Sequence, residues 1–377
     1  MNRKQNINVP LLDIPIAYEE ILADVQKNID KVIRSGKFIL GPVVEELELL
    51  VANYCGAKYA VGVSSGTDAL LISLMASEIG PGDEVITSPF TFFSTAGSIA
   101  RLGARPVFVD IEPDTFNIEP NQIEQKITAK TRAIIPVHLY GQCAAMDPVL
   151  DLARGNNLVV IEDAAQAIGS EYKGRRAGSM GDYGCLSFFP TKNLGGFGDG
   201  GMVTMASGEL FERVKTLRVH GSQSKYYHKI IGGNLRLDAL QAAIVLAKLK
   251  YLDGWTKKRR TNAQTYNQLF RGKGLTDQLI IPPEVVPYHV YNQYVVRIKN
   301  KRDELRKYLA DNNVATEIYY PLPLHLQECF TSLGYKKGDF PESEKAADET
   351  IALPVFPELT PEQLNYVVEI IVHFMER

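Results

Sequence analysis

The hydrophobic positions follow a helical spacing at both ends of the chain and alternate between strand-like runs and helical stretches in between. Ile21, Leu22, Val25, Ile29, Val32 and Ile33 recur every three or four residues, and Gly36 suits the stop. Pro42 fits the first position of a second helix, with Val43, Val44, Leu47, Leu50, Val51 and Tyr54 inward and Gly56 at its end. From Tyr59 the period changes. Apolar runs at 59–63, 84–87, 106–110, 133–138 and 158–161 read as strands, and 69–79, 91–102, 121–127 and 148–154 read as helices between them. Near-continuous apolar strands separated by helices predict an α/β fold with a mostly parallel sheet buried on both faces.

After Gly201 the alternation fades. Residues 202–205 are strand-like, 235–252 form a long helical stretch and 257–270 another. Ile281-Pro282-Pro283 and Pro287 mark a break, beyond which come a strand at 294–298, a helix at 302–310 and a strand at 315–319. Thr360-Pro361-Glu362-Gln363 starts a last helix running to about Met375, with Thr at the cap and Pro just inside. The pattern divides into a large domain over 1–250, N-terminal helices included, and a small α+β domain over 251–377.

A length of 377 residues fits that division. Apolar content of 45% and charged content of 23% are ordinary for a globular protein, and a net charge of −3 gives no electrostatic case for nucleic acid or an anionic membrane. Cys55, Cys143, Cys185 and Cys329 lie far apart with no CxxC pair, which favours reduced thiols. The start, MNRKQNINVPLLD, lacks the apolar core of a signal peptide, and no stretch approaches a membrane span. A cytoplasmic enzyme is the expectation.

Chemistry concentrates in one stretch. Asp163 follows the apolar run 158–161, and Lys192 comes later in Ser187-Phe188-Phe189-Pro190-Thr191-Lys192, before glycines that crowd 195–201. A carboxylate at the end of a buried strand can hold a heteroaromatic nitrogen protonated, and a nearby lysine can form a Schiff base with an aldehyde. These are the two protein groups that pyridoxal phosphate (PLP) requires. Ser65-Gly66-Thr67-Asp68, between a strand and a helix, reads as a plain N-cap or, in that company, as a phosphate site. Gly196 to Gly201 fits GxGxxG as a string, but no strand precedes it and a strand follows, so the nicotinamide reading fails. Those glycines instead let backbone approach closely or turn a hairpin. Of Phe90, Phe92 and Phe93, one can stack on a flat heterocycle. None of the six histidines forms a pair with ligand spacing, so no metal is expected. Lys225-Tyr226-Tyr227-His228-Lys229 reads as a solvated loop that can also grip a phosphate or sugar, and no serine-hydrolase elbow or P-loop is present.

Several segments then carry a resemblance, in order along the chain: Gly36-Lys37-Phe38-Ile39-Leu40-Gly41-Pro42, Ser65-Gly66-Thr67-Asp68-Ala69-Leu70, Gly80-Pro81-Gly82-Asp83-Glu84-Val85 and Pro136-Val137-His138-Leu139-Tyr140-Gly141. Further on come Glu162-Asp163-Ala164-Ala165-Gln166, the Ser187 to Lys192 stretch, Asn234-Leu235-Arg236-Leu237-Asp238, Leu240-Gln241-Ala242-Ala243 and Tyr320-Pro321-Leu322-Pro323-Leu324-His325. Together they resemble the sugar aminotransferase family (the DegT/DnrJ/StrS group) of fold-type I PLP enzymes, from about Val9 to the C-terminus.

The resemblance implies an aspartate aminotransferase-like fold with a seven-stranded-type sheet in the large domain. It implies that Lys192 bonds PLP and moves the proton, and that Asp163 pairs with the pyridine nitrogen. Gln166 would meet the ring hydroxyl and Phe92 the ring face. Gly66, Thr67 and Ser187 would hold the phosphate, with Asn234 reaching in from a second subunit of a homodimer. Arg236, Tyr319, Tyr320 and His325 are the substrate-side candidates. The implied reaction takes the amino group of L-glutamate, releases 2-oxoglutarate through pyridoxamine phosphate (PMP), and aminates C-3 of a UDP- or dTDP-linked keto sugar for cell-surface polysaccharide or lipopolysaccharide. C-4 amination, a sugar dehydratase with the same fold and a non-catalytic regulatory protein are the alternatives. Lys192 speaks against the dehydratase, whose kind resembles this family with His at that position.

Overall fold

The structure is a computed structural model describing residues 7–377, so the first six residues of the stretch expected to lack a signal peptide lie outside the described residues. Helices α1 (Ile14–Glu19), α2 (Leu22–Ser35) and α3 (Pro42–Cys55) come first. Gly36 and Gly56 end α2 and α3 in the left-handed conformation, at φ 64° and 76°, where a side chain would be strained. The central sheet is built from β1 (Tyr59–Val63), β2 (Glu84–Thr87), β3 (Arg105–Phe108), β4 (Thr131–Ile134) and β5 (Val159–Asp163). A small hairpin, β6 (Glu171–Tyr172) and β7 (Arg175–Arg176), precedes its last two strands, β8 (Tyr183–Ser187) and β9 (Gly201–Met205). The seven strands lie in the order β1-β9-β8-β5-β4-β2-β3. All pairs are parallel except those of β9, which runs against both β1 and β8.

Each inner strand feeds both faces of the sheet. Ile134, Val160, Leu186 and Met202 pack on one side with α3, α6 (Met146–Asn156) and α8 (Ala239–Leu249). Ala133, Ile161, Cys185 and Val203 pack on the other with α4 (Gly66–Ala76), α5 (Ser94–Arg101) and α7 (Gly208–Arg218). Two-sided burial is why these strands read as continuous apolar runs rather than alternating ones.

Past the exposed hairpin β10 (Ser222–Ser224) and β11 (Tyr227–His228), the long α9 (Leu252–Gly272) leads to a three-stranded sheet of β12 (Leu279–Ile280), β13 (Tyr294–Ile298) and β14 (Thr350–Leu353). Its core includes Tyr266, Phe270, Val296 and Ile351 together with residues of α10 (Arg302–Asp311) and α12 (Pro361–Met375). Val9 belongs to this core, bridging to Val314, so the N-terminal segment packs on the C-terminal part of the chain. The start of α12 has a full capping box between Thr360 and Gln363.

Three sequence expectations differ from the structure. The helix expected over 121–127 is two 3-10 turns, Pro120–Gln122 and Glu124–Lys126, because no apolar stripe long enough to sustain a helix follows Pro120. The helix expected from Leu235 begins only at Ala239, since Leu235 and Arg236 bond to the end of β1 and continue extended. The strand expected over 315–319 is a single bridge from Glu317 to Ala352, and Tyr320 turns the chain at φ 61° before Pro321. The helices α1, α7 and α11 (Pro341–Glu349), the strands β8, β12 and β14 and the small hairpins have no counterpart in the sequence pattern.

Candidate active site

The carboxyl ends of the parallel strands converge on a cavity of about 420 Å³. Asp163 ends β5, Ser187 ends β8, Ser65 to Thr67 follow β1, and Thr91 to Ser94 follow β2. In open α/β sheets this is the edge where loops, not side-chain layers, close the surface, and ligands gather there.

Asp163 is 5% exposed. Its Oδ2 accepts from Thr95 Oγ1 at 2.8 Å and its Oδ1 accepts only a longer bond, 3.3 Å, from the Ala165 amide. Burial pushes its pKa above the usual carboxylate range; the Thr95 bond, the Ala165 amide and the charge of Lys192 oppose that shift. Thr95 accepts in turn from Thr91 Oγ1 at 3.1 Å, its own proton being committed to Asp163. Thr95 escaped the sequence reading; only its position one turn after Thr91, at a strand end, signalled it.

Lys192 borders the open volume of the cavity and is otherwise half-buried in protein. That burial pushes its ammonium down to about 8, against the opposing charge of Asp163. At neutral pH an appreciable share of such a lysine is the free amine, the form that attacks a carbonyl.

Around this pair the cavity is lined by a phosphate-sized cradle and an aromatic wall. Ser65 caps α4, its Oγ accepting from the Asp68 amide at 3.0 Å, so the helix N-terminus opens on the cavity beside Gly66 and Thr67. A Cβ at Gly66 would fall 2.8 Å from Ser187 Cβ, and one at Gly201 would fall 2.4 Å from the Ser65 carbonyl oxygen. The glycines therefore let β8, β9 and the α4 turn close on each other around donors aimed inward. Gln166 is fixed at both ends, its Oε1 accepting from the Tyr140 amide at 2.7 Å and its Nε2 donating to Tyr320 Oη at 2.8 Å. Phe92 and Tyr319 complete the lining.

Behind Asp163, the fully buried Glu162 accepts from the Gly178, Met180 and Gly181 amides and from His138 Nε2 at 2.8 Å. His138 Nδ1 accepts the Ala144 amide, so Nε2 is the nitrogen that faces Glu162 as donor. This lock holds the end of β5.

Of the residues singled out from the sequence, Gly66, Thr67, Phe92, Asp163, Gln166, Ser187, Lys192, Tyr319 and Tyr320 line the cavity together. Asn234, Arg236 and His325 do not. Asn234 is exposed and its backbone bridges to Val219; Arg236 bridges to Val63; His325 is buried against Phe340 with Nε2 3.1 Å from Glu344.

A half-buried lysine and a buried aspartate with one lightly engaged oxygen, beside a helix N-terminus freed of side chains, fit PLP, and a sheet of this order with a second, C-terminal sheet is the frame of PLP-dependent aminotransferases. The sequence comparisons agree. The profile of the DegT/DnrJ/EryC1/StrS aminotransferase family matches residues 19–372. A Geobacillus stearothermophilus protein named pleiotropic regulatory protein is 53% identical over 98% of this chain and 99% of its own. The UDP-N-acetyl-3-dehydro-alpha-D-glucosamine 3-aminotransferase of Acidithiobacillus ferrooxidans is 41% identical over 97% of this chain and 98% of its own. The crystal structure of Streptomyces venezuelae DesV in complex with a ketimine intermediate matches at a TM-score of 0.94 and 39% identity, over 98% of this chain and 99% of that one. The chain belongs to the DegT/DnrJ/EryC1/StrS aminotransferase family, a PLP-dependent family with structures solved in PLP and PMP forms.

Two expected results follow from this geometry. Thr95→Val removes the hydroxyl bond to a charged acceptor, worth about 1.5–3 kcal/mol, so activity should fall roughly ten-fold or more, while Thr95→Ser stays near wild type. Steady-state rates of the two variants check this. Gly66→Ala overfills the cradle, at a cost of about 1–3 kcal/mol. PLP retention on dialysis should drop with the fold intact by circular dichroism.

Proposed function

We propose that the protein moves the amino group of L-glutamate to C-3 of a nucleotide-linked 3-keto sugar. The observation that carries the transaminase chemistry is the Lys192–Asp163 pair in one cavity. The C-3 position rests on the names of relatives, which are sugar 3-aminotransferases or transaminases of 3-amino sugars.

Bound PLP supplies an electron sink for the carbon that loses its proton. Lys192 Nζ would hold the cofactor and, as a neutral amine, would carry the proton between carbon atoms. Asp163, whose carboxylate accepts from Thr95, would keep the ring nitrogen protonated. Gly66, Thr67 and Ser187 hold the phosphate at the α4 N-terminus. Gln166 would meet the ring hydroxyl and Phe92 would cover the ring. Tyr319 and Tyr320 face the substrate.

A homodimer fits this reading. Phe92 and Phe189 line the cavity yet are 59% and 49% exposed, and Asn234 and Arg236 lie apart from the cavity of their own chain, free to serve a second copy's. His325, tied to Glu344, lies outside this cavity. The division into 1–250 and 251–377 and a cytoplasmic setting belong to the same reading; no described helix is long and apolar enough to cross a membrane.

The name of the Geobacillus relative favours a second reading, a regulatory protein. The experiment that separates them is product analysis. PLP-loaded protein is given L-glutamate and either a UDP- or a dTDP-3-keto sugar, and the product is examined by NMR. A 3-amino sugar is expected. A 4-amino product when the matching 4-keto sugars are supplied in a parallel reaction, with none from the 3-keto sugars, would move the position, and no product with any keto sugar would favour the regulatory reading.

A further inference from the structure

Lys248 is a buried cation that the chemistry above does not use. It sits on α8, 3% exposed, and among the described residues no carboxylate forms an ion pair with it. A charged group taken out of water without a counter-charge needs other partners. Lys248 Nζ has two acceptors, the Gly195 carbonyl and Tyr18 Oη at 3.0 Å, and it lies 4.3 Å from the centre of the Tyr18 ring, with Phe197 and Trp255 further out at 5.7 and 6.0 Å. Burial brings its ammonium down to about 7.

Gly195 is where this clamp meets the active site. The segment from Phe188 to Gly196 is a closed loop: the Gly196 amide donates to the Phe188 carbonyl at 2.7 Å, and the Lys192 amide donates to the Phe189 carbonyl at 2.9 Å. Lys192 projects from its tip. A Cβ at Gly195 would stand 2.6 Å from the Pro190 oxygen and 2.7 Å from the Phe189 oxygen, so Gly195 is pressed directly under the turn that carries Lys192. Lys248 and Lys192 also wall the same small cavity of about 40 Å³. Tyr18, the other acceptor, directly follows Ala17 in α1.

We propose that Lys248 is a positioning residue for Lys192: it fastens the floor of the Lys192 loop to α8 and, through Tyr18, to the N-terminal segment. The proposal rests on Lys192 being the lysine that bonds PLP. An ammonium suits this place because it offers three donors to carbonyl and hydroxyl oxygens, where a methionine of similar length offers none. A loop tip held from below keeps the amine in reach of its target, and small displacements at such a tip are costly in rate.

The test uses Lys248→Met and Tyr18→Phe in the full chain. PLP is added to each apoprotein, and growth of visible absorbance reports the rate at which PLP bonds to the lysine. That rate should fall about ten-fold in Lys248→Met and about three-fold in Tyr18→Phe. In the loaded enzyme kcat should fall by similar factors while KM for the sugar stays put. A lower melting temperature with an unchanged bonding rate would mean a merely structural lysine and would overturn the proposal. Should Lys248→Met fail to fold, an unchanged rate in Tyr18→Phe overturns it as well. Borohydride reduction of wild type followed by peptide mapping separates the two claims. A label on Lys192 supports the premise, and a label on any other lysine, Lys248 included, removes the premise whatever the variants do.

Discussion

Lys192→Ala should fold, bind PLP only without a covalent bond, and lose turnover by at least roughly 10³-fold. The loss is large because one amine serves twice, as the anchor of the cofactor and as the carrier of the proton, and no other described lysine lines the cavity. The fold should survive, since the side chain borders open volume and the loop bond at this position is made by the backbone amide, which alanine keeps. A pH dependence follows from the burial of the ammonium. Its proton must leave before the nitrogen can attack, so the rate at which PLP bonds to the wild-type apoprotein should rise with pH through about 8 and level off above it. Stopped-flow absorbance over a pH series measures this. A rate independent of pH across that range would place the attacking amine elsewhere.

Asp163→Asn should retain PLP poorly and lose activity by roughly 10²–10³-fold. The change is nearly isosteric, and an asparagine oxygen can still accept from Thr95, so the packing at the end of β5 is kept. What disappears is the negative charge. Burial already raises the Asp163 pKa, and its neighbours work against that rise; a neutral amide in the same place gives a ring nitrogen no reason to hold a proton. Full activity in this variant would show that the ring nitrogen does not depend on a charge at this position. The Thr95→Val result is linked to this one: if Thr95 acts only by keeping Asp163 charged, then removing the hydroxyl from Asp163→Asn should add little, which a double-mutant cycle can read.

Much of this was legible because single-period signals coincide with the chemistry. The strands at Tyr59–Val63, Glu84–Thr87 and Tyr294–Ile298 and the capped helix from Thr360 are where the pattern puts them, since two-sided burial or a capping box leaves few alternatives. Asp163 and Lys192 were legible from residue type and from the strand before Asp163. β8 was not, as Tyr183-Gly184-Cys185-Leu186-Ser187 lacks β-branched residues; its place depends on pairing with β5 and β9, contacts distant in sequence. The glycines at 195–201 were read as sites of close approach, but what they approach, the Phe189 and Pro190 carbonyls and the Ser65 turn, emerges only in three dimensions. Thr95, Glu162 and Lys248 share that limit. Each is an ordinary residue whose meaning lies in one partner: a carboxylate, a buried imidazole, a carbonyl under the Lys192 turn.

The most direct test of the central claim is the absorbance spectrum of the purified, PLP-loaded protein before and after L-glutamate, and again after one candidate nucleotide 3-keto sugar is added. Loss of the visible band with glutamate, and its return with the keto sugar, is the predicted result, because the amino group must leave the donor, rest on the cofactor and pass to the acceptor. A band that glutamate leaves unchanged, or that no keto sugar restores, would contradict the account.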